Sequence, residues 1–222
     1  MPVHLHDAPF ERLGKDELAA WQGAEAAAVS DCLDRSMAMD AGMSPLDPGM
    51  HVVGHARTVR CMAADNGALH AALTVLAPGE VLVAEAGGYL GNAVWGGLMT
   101  EAARRSGVAG LILDGAVRDT AEIVAAGFPC FARGATPAGP HKGFGGAIDV
   151  PIACGGVAVR PGDLIVADAD GVAVVPLERA EAVLAAYRAL KAKEAGALAA
   201  LDAGGTLAEI YGVPEITRVA SR

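Results

Sequence analysis

The sequence predicts an α/β fold, and three observations carry that reading. Residues 80–114 run strand, glycine-rich loop, helix, strand, which is the order of a βαβ unit. Hydrophobic residues make up 53% of the 222 positions but aromatics only 4%, and there are 29 glycines, so the core is built from Ala, Val, Leu and Gly. Such a core lets backbones approach closely, which suits tightly wound α/β layers better than an aromatic-rich β-sandwich. Charged residues, 19% of the chain, are spread along its length, as in soluble globular proteins.

Residues 15–34 are rich in alanine with acids early, which predicts a helix interrupted near Gly23. Residues 35–50 carry Met, Gly and Pro and read as a loop. Partial alternation in HARTVRCMAA predicts a strand over 55–64, and residues 66–75 read as a helix closed by Pro78-Gly79. The apolar run EVLVAEA, 80–86, is a buried strand. Gly87, Gly88, Gly91, Gly96 and Gly97 lead into a helix over 98–106, followed by the strand GLILD at 110–114. A short helix over 120–126 ends at Gly127, PCFARGA reads as a strand, and a Gly- and Pro-rich loop runs to Gly146. Two further strands lie within IDVPIACGGVAV and DLIVADADGVAVVP, and an amphipathic helix over 177–200 precedes a short tail.

APGEVLVAEAGG (77–88) and RPGDLIVADADG (160–171) echo one another. We read this as a recurring device, a Pro-Gly turn followed by a buried strand, rather than as duplication. It predicts two sheets or layers within a single domain spanning 1–222, because no polar linker divides the chain.

The net charge of −9, with no basic cluster longer than Arg104-Arg105, argues against nucleic acid as a partner. Cys32, Cys61, Cys130 and Cys154 are widely spaced in apolar stretches, without C-x-x-C or zinc-ligand spacing, and read as reduced core residues of a cytoplasmic protein. No basic-then-apolar leader opens the chain, and no run approaches the length of a membrane span.

The densest functional signal is GGYLGNAVWGGLMTEAARRSGVAGLILDGAVRD, 87–119. Gly96-Gly97 before a helix leaves the backbone N–H groups of Leu98 and Met99 open to a carboxylate or phosphate, or serves only tight strand-to-helix packing. No dinucleotide or Walker pattern is present. Asp114 through Asp119 follow a buried strand, where α/β sheets collect ligands. Arg118 offers a planar fork for a carboxylate or keto oxygen and Asp119 a ligand for a hard dication, unless the pair merely caps the next helix. His70 reads as a hydrogen-bonded helical histidine. His141 and Lys142 read as solvated loop charge, with a mobile rim as the alternative, Asp168 and Asp170 as hairpin caps, and Met37, Met39 and Met43 as packing.

This string, together with PGDLIVADADGVAVVP, Val29-Ser30-Asp31 and the Asn66-x-x-x-His70 pair, resembles the RraA-like family over most of the chain. That family includes the metal-dependent (class II) 4-hydroxy-4-methyl-2-oxoglutarate and 4-carboxy-4-hydroxy-2-oxoadipate aldolases of aromatic compound catabolism, and the regulator of ribonuclease activity A. The resemblance implies a compact swivelling α/β/α-type sandwich, like a phosphohistidine domain, assembled as a homotrimer or homohexamer with sites at subunit interfaces. It places the pyruvyl carboxylate on Gly96, Gly97, Leu98 and Met99, the family's arginine at Arg118 and its Mg²⁺ or Mn²⁺ ligand at Asp119. Glu194, on the C-terminal helix, corresponds to a catalytic glutamate that reaches a neighbour's site. The implied activity is retro-aldol cleavage of a 4-hydroxy-2-oxo acid to pyruvate, with oxaloacetate decarboxylation alongside. The alternatives are a non-catalytic, protein-binding ribonuclease regulator, or a divergent metal-dependent enzyme on another oxo-acid. One departure stands out: the aldolases carry an acid in a Gly-Asp-Leu-Leu turn where this chain reads Gly96-Gly97-Leu98-Met99. Glu101, one helical turn beyond Gly97, is the candidate replacement.

Overall fold

The computed structural model describes residues 1–6 and 10–219. Its first part comprises β1 (Val3–Leu5), α1 (Lys15–Ala19), α2 (Ala26–Asp31), β2 (Ser44–Pro45), β3 (Val52–Cys61) and α3 (Gly67–Ala72). The helix expected over 15–34 is two short ones, broken where Gly23 takes a φ of 78°, a left-handed value that glycine adopts without strain. The centre holds β4 (Val81–Glu85), β5 (Ala93–Trp95), α4 (Gly97–Arg105), β6 (Gly110–Val117), α5 (Thr120–Ala125) and β7 (Cys130–Ala135). β8 (Gly146–Ile148), β9 (Ile152–Cys154), β10 (Val157–Val159), β11 (Leu164–Asp168) and β12 (Gly171–Val175) follow. A 3-10 turn (Leu177–Arg179), α6 (Ala180–Asp202) and α7 (Leu207–Tyr211) close the chain.

β3, β4, β6 and β7 lie side by side and parallel, as the βαβ order requires. Antiparallel pairing of β3 with β8 and β11, and of β11 with β12, makes the sheet mixed. The echoed segments become β4 and β11, and both pair with β3: β4 through Ala56–Arg60 and β11 through Val52–His55. The expectation of two sheets is corrected accordingly. Ten-residue β3 is long enough to pair with each strand over a different half, so one large sheet holds both.

Two hydrophobic clusters cover this sheet. One takes α3, α4 and α5 through Leu69, Met99, Ala103 and Ile123, while the other takes α2 and α6 through Val29 and Val183. Adjacent residues of β3 divide between them, Val52 into the first and Val53 into the second, because strand side chains alternate faces. The outcome is the α/β fold read from the sequence, layered as the family resemblance implies. Arg57 is buried within it, donating to both carboxylate oxygens of Asp149 at 2.8 and 2.7 Å and to Glu80 at 3.2 Å.

Candidate active site

The site is assembled where β5 and β6 end together. The Arg118 N–H donates to the Trp95 carbonyl at 3.0 Å, closing the end of β6 onto β5 and bringing Arg118-Asp119 beside Gly96-Gly97. The turn is braced from behind: the Trp95 indole N–H donates to the Thr100 hydroxyl at 2.8 Å, and that hydroxyl donates to the Gly96 carbonyl at 3.1 Å. Asp119 adopts a left-handed backbone, φ 55°, at the start of α5, yet its side chain makes no capping bond to that helix. Its Oδ2 instead accepts the Gly97 N–H at 3.1 Å and lies 3.5 Å from Nε of Arg118. Left-handed geometry is costly for most side chains and tolerated by aspartate, so this backbone is the means by which the carboxylate faces the turn.

Gly96, Leu98, Met99, Arg118 and Asp119 line one cleft of about 100 Å³, which Asn66, His70 and Lys142 also line. A wider hollow of about 340 Å³, formed with Thr136 and Pro137, lies against Arg118 and Asp119 as well. Asn66 is 4% exposed; its amide N–H donates to Sδ of Met99 at 3.3 Å, while its Oδ1 is buried without a hydrogen-bond partner among the described residues. A buried acceptor left unpaired costs about 1–3 kcal/mol, which a donor arriving in the cleft would offset. Burial, with a smaller contribution from the nearby Lys142 charge, pushes the His70 imidazole below its usual value.

Lys142 and His141 are exposed, as expected of solvated loop charges, and their loop is anchored by hydrogen bonds. The His141 N–H donates to the Ala64 carbonyl at 2.7 Å and its carbonyl accepts the Asn66 N–H at 3.0 Å, while Asp65 holds the N–H groups of Gly143 and Phe144. A second correction concerns Asp114. β6 runs on to Val117, so Asp114 lies inside the strand, paired with Arg133 and accepting the Gly155 N–H at 3.0 Å. Glu101 does not replace the turn acid either: it sits on the outer face of α4, where hydrogen bonds from Arg105 and Arg104, at 2.7 and 2.8 Å, hold it below the usual carboxylate range. Glu194 is on α6, paired with Lys191 at 2.8 Å, and is not among the residues lining the cleft of its own chain. Asp168 and Asp170 form the β11–β12 turn, where the Asp170 N–H meets Oδ1 of Asp168 at 2.9 Å. Met39 and Met43 are core residues, and burial pushes the thiols of Cys61 and Cys130 up to about 12.

Among the described residues, no three His, Cys, Asp or Glu side chains come together as a metal cage. A hard dication takes one or two carboxylates and keeps several waters. Asp119, with its carboxylate at the cleft and free of capping duty, fits such an ion.

A family model described as RraA-like, Aldolase/RraA, matches residues 26–174. The chain belongs to the RraA-like family. A protein of Halalkalibacterium halodurans named "Putative 4-hydroxy-4-methyl-2-oxoglutarate aldolase" is 44% identical over 156 residues, which is 70% of this chain and 74% of that protein. The crystal structure of an uncharacterized protein from Pseudomonas syringae pv. tomato superposes with a TM-score of 0.80 at 27% identity, covering 91% of this chain and 100% of the other. The RNA-processing inhibitor RraA from Thermus thermophilus superposes at 0.64 with 33% identity, covering 69% and 93%. RraA-like chains thus include a protein named as an aldolase and one named as an RNA-processing inhibitor.

Proposed function

We propose that this RraA-like protein is a divalent-metal-dependent lyase that cleaves a 4-hydroxy-2-oxo di- or tricarboxylic acid to pyruvate, with oxaloacetate decarboxylation as a side activity. The observation that carries the reading is the meeting of Arg118 and Asp119 with the N-terminus of α4 in one cleft. The aldolase name of the H. halodurans relative supports the same class. In this reading the N–H groups of Leu98 and Met99, which have no partner within α4, hold the substrate carboxylate next to the keto group. Arg118 faces the 2-keto oxygen. A Mg²⁺ or Mn²⁺ ion held by Asp119 supplies Lewis-acid charge at that oxygen when bound.

Cleavage begins with loss of the C4 hydroxyl proton to a base, for which the reading assigns Glu194, presented by a neighbouring copy in a homotrimer or homohexamer. C4 becomes a carbonyl, the C3–C4 bond breaks, and its electron pair moves to the 2-oxygen as the pyruvate enolate. Arg118 stabilises that developing charge, and a proton returned to C3 completes pyruvate. Oxaloacetate loses carbon dioxide through the same enolate. A Schiff-base route is not favoured: Lys142 lies at the rim of the cleft and is exposed rather than desolvated.

A lactate-dehydrogenase-coupled assay on oxaloacetate and 4-hydroxy-2-oxo acids tests this, with Mg²⁺ or Mn²⁺ and with chelator. Pyruvate release that needs the cation and disappears in Asp119→Ala is expected. Release that survives chelation, or survives that substitution, overturns the mechanism, and inactivity across the whole panel moves the assignment to a ribonuclease regulator or to a divergent metal-dependent enzyme on another oxo-acid.

A further inference from the structure

The two glycines of the turn are not needed for their backbone freedom. Gly96 is extended, with φ −167°, and Gly97 opens α4, conformations that any residue adopts. What they share is a carboxylate in the space of the missing Cβ. A Cβ on Gly96 would lie 2.6 Å from Oδ2 of Asp119, and a Cβ on Gly97 would overlap Oε2 of Glu122, with the Glu122 Cδ 3.2 Å away. An aspartate grown at position 97 would carry its own oxygens two bonds from that Cβ. The carboxylate of Glu122 therefore occupies the space that a side chain at position 97 would fill.

Glu122 stands in the first turn of α5, one turn beyond Asp119, and makes no ion pair among the described residues, whereas Asp119 has Arg118 beside it. Two carboxylates approach one turn with a single guanidinium next to them. Independently, the buried Oδ1 of Asn66 stands unpaired in the cleft that Asp119 lines. Surplus carboxylate charge calls for a cation, and an acceptor without a donor calls for the hydrogen of a bound water or hydroxyl.

We propose that Glu122 is a positioning residue for the divalent cation of the Asp119 site, holding the ion's water shell from α5 in place of an acid at position 97. The inference rests on the metal-dependent reading above. Carboxylates that orient a metal's waters are worth about 10–100-fold in metal affinity.

The test is Mn²⁺ binding to the full chain, followed by electron paramagnetic resonance, with water-proton relaxation reporting the waters on the ion and a melt without metal reporting the fold. Glu122→Gln is expected to weaken Mn²⁺ by about tenfold and to change the relaxation signal, while the metal-free melt stays at the wild-type temperature. Gly97→Asp, which strengthens nothing while Glu122 occupies the space, is expected to restore binding in Glu122→Ala. A purely structural contact between α4 and α5 would show the reverse, a changed melt with unchanged Mn²⁺ affinity. Wild-type affinity in both Glu122→Gln and Glu122→Ala, with Asp119→Ala unable to bind, overturns the role of Glu122 and leaves the metal reading standing. A wild-type chain that binds no Mn²⁺ overturns both. Where Gly97→Asp does not fold, the isosteric Glu122→Gln decides alone.

Discussion

Asp65 accepts the backbone N–H of Gly143 at 2.7 Å across a sequence separation of 78 residues. The same carboxylate takes the N–H of Gly67 at 2.8 Å and of Phe144 at 3.2 Å, so one buried side chain ties the start of α3 to the loop that carries Lys142. Burial opposes its charge, but those three N–H groups outweigh burial and hold the carboxyl below its ordinary value.

Removing that tie therefore costs stability in a pH-dependent way. Asp65→Asn is expected to lower unfolding free energy by about 1–3 kcal/mol at neutral pH. Because the folded state depresses the Asp65 pKa, the contribution is complete above the unfolded value of about 3.9 and disappears as pH falls through the lower folded value. Urea midpoints measured from neutral pH downward should converge for the two proteins in acid, and a constant gap would contradict the assignment.

Asp119 separates backbone strain from chemistry. Alanine keeps the left-handed φ of 55° without aspartate's tolerance for it, and glycine takes it freely. Asp119→Ala is expected to be less stable than Asp119→Gly by about 1 kcal/mol, with pyruvate release lost in both. Equal melting of the two variants would place the strain elsewhere.

The cleft histidine reports on the lysine beside it. His70 is expected to titrate below an ordinary histidine, and Lys142→Ala to move its midpoint upward, since removing a nearby positive charge favours the imidazolium. Proton NMR of the ring resonances measures this directly. A midpoint that stays put would show that burial alone sets it.

Much of this was legible in the sequence, because regular periodicity and glycine punctuation are local signals. The βαβ unit around 80–114 could be read from periodicity, and the partnership of Gly96-Gly97 with Arg118-Asp119 is what the family resemblance implied. β5 could not, since three apolar residues inside a glycine cluster carry no period. Asp114 was hidden because its charge is matched by Arg133, a residue that meets it only through the pairing of β6 with β7. Glu101 satisfied helix geometry around Gly97, but Glu122 is its neighbour in space, supplied by a different helix. The only sequence signal for it was a second glycine where the conformation needs none.

The ion pair under β3 sets a large energetic term. Arg57→Ala leaves Asp149 buried without its partner, while Glu80 keeps Arg12 and the Ala77 N–H, and a loss of about 3–5 kcal/mol is expected from chemical denaturation. A loss below about 1 kcal/mol would mean that water reaches Asp149 in the variant.

Val52 and Val53, consecutive on β3, belong to different hydrophobic clusters, so neither cluster can melt without stripping one face of the strand that the other depends on. In a calorimeter each chain should then absorb heat in one event, with van't Hoff and calorimetric enthalpies in agreement. Severed between β10 and β11, the chain should yield fragments that are unfolded apart and regain structure only when mixed.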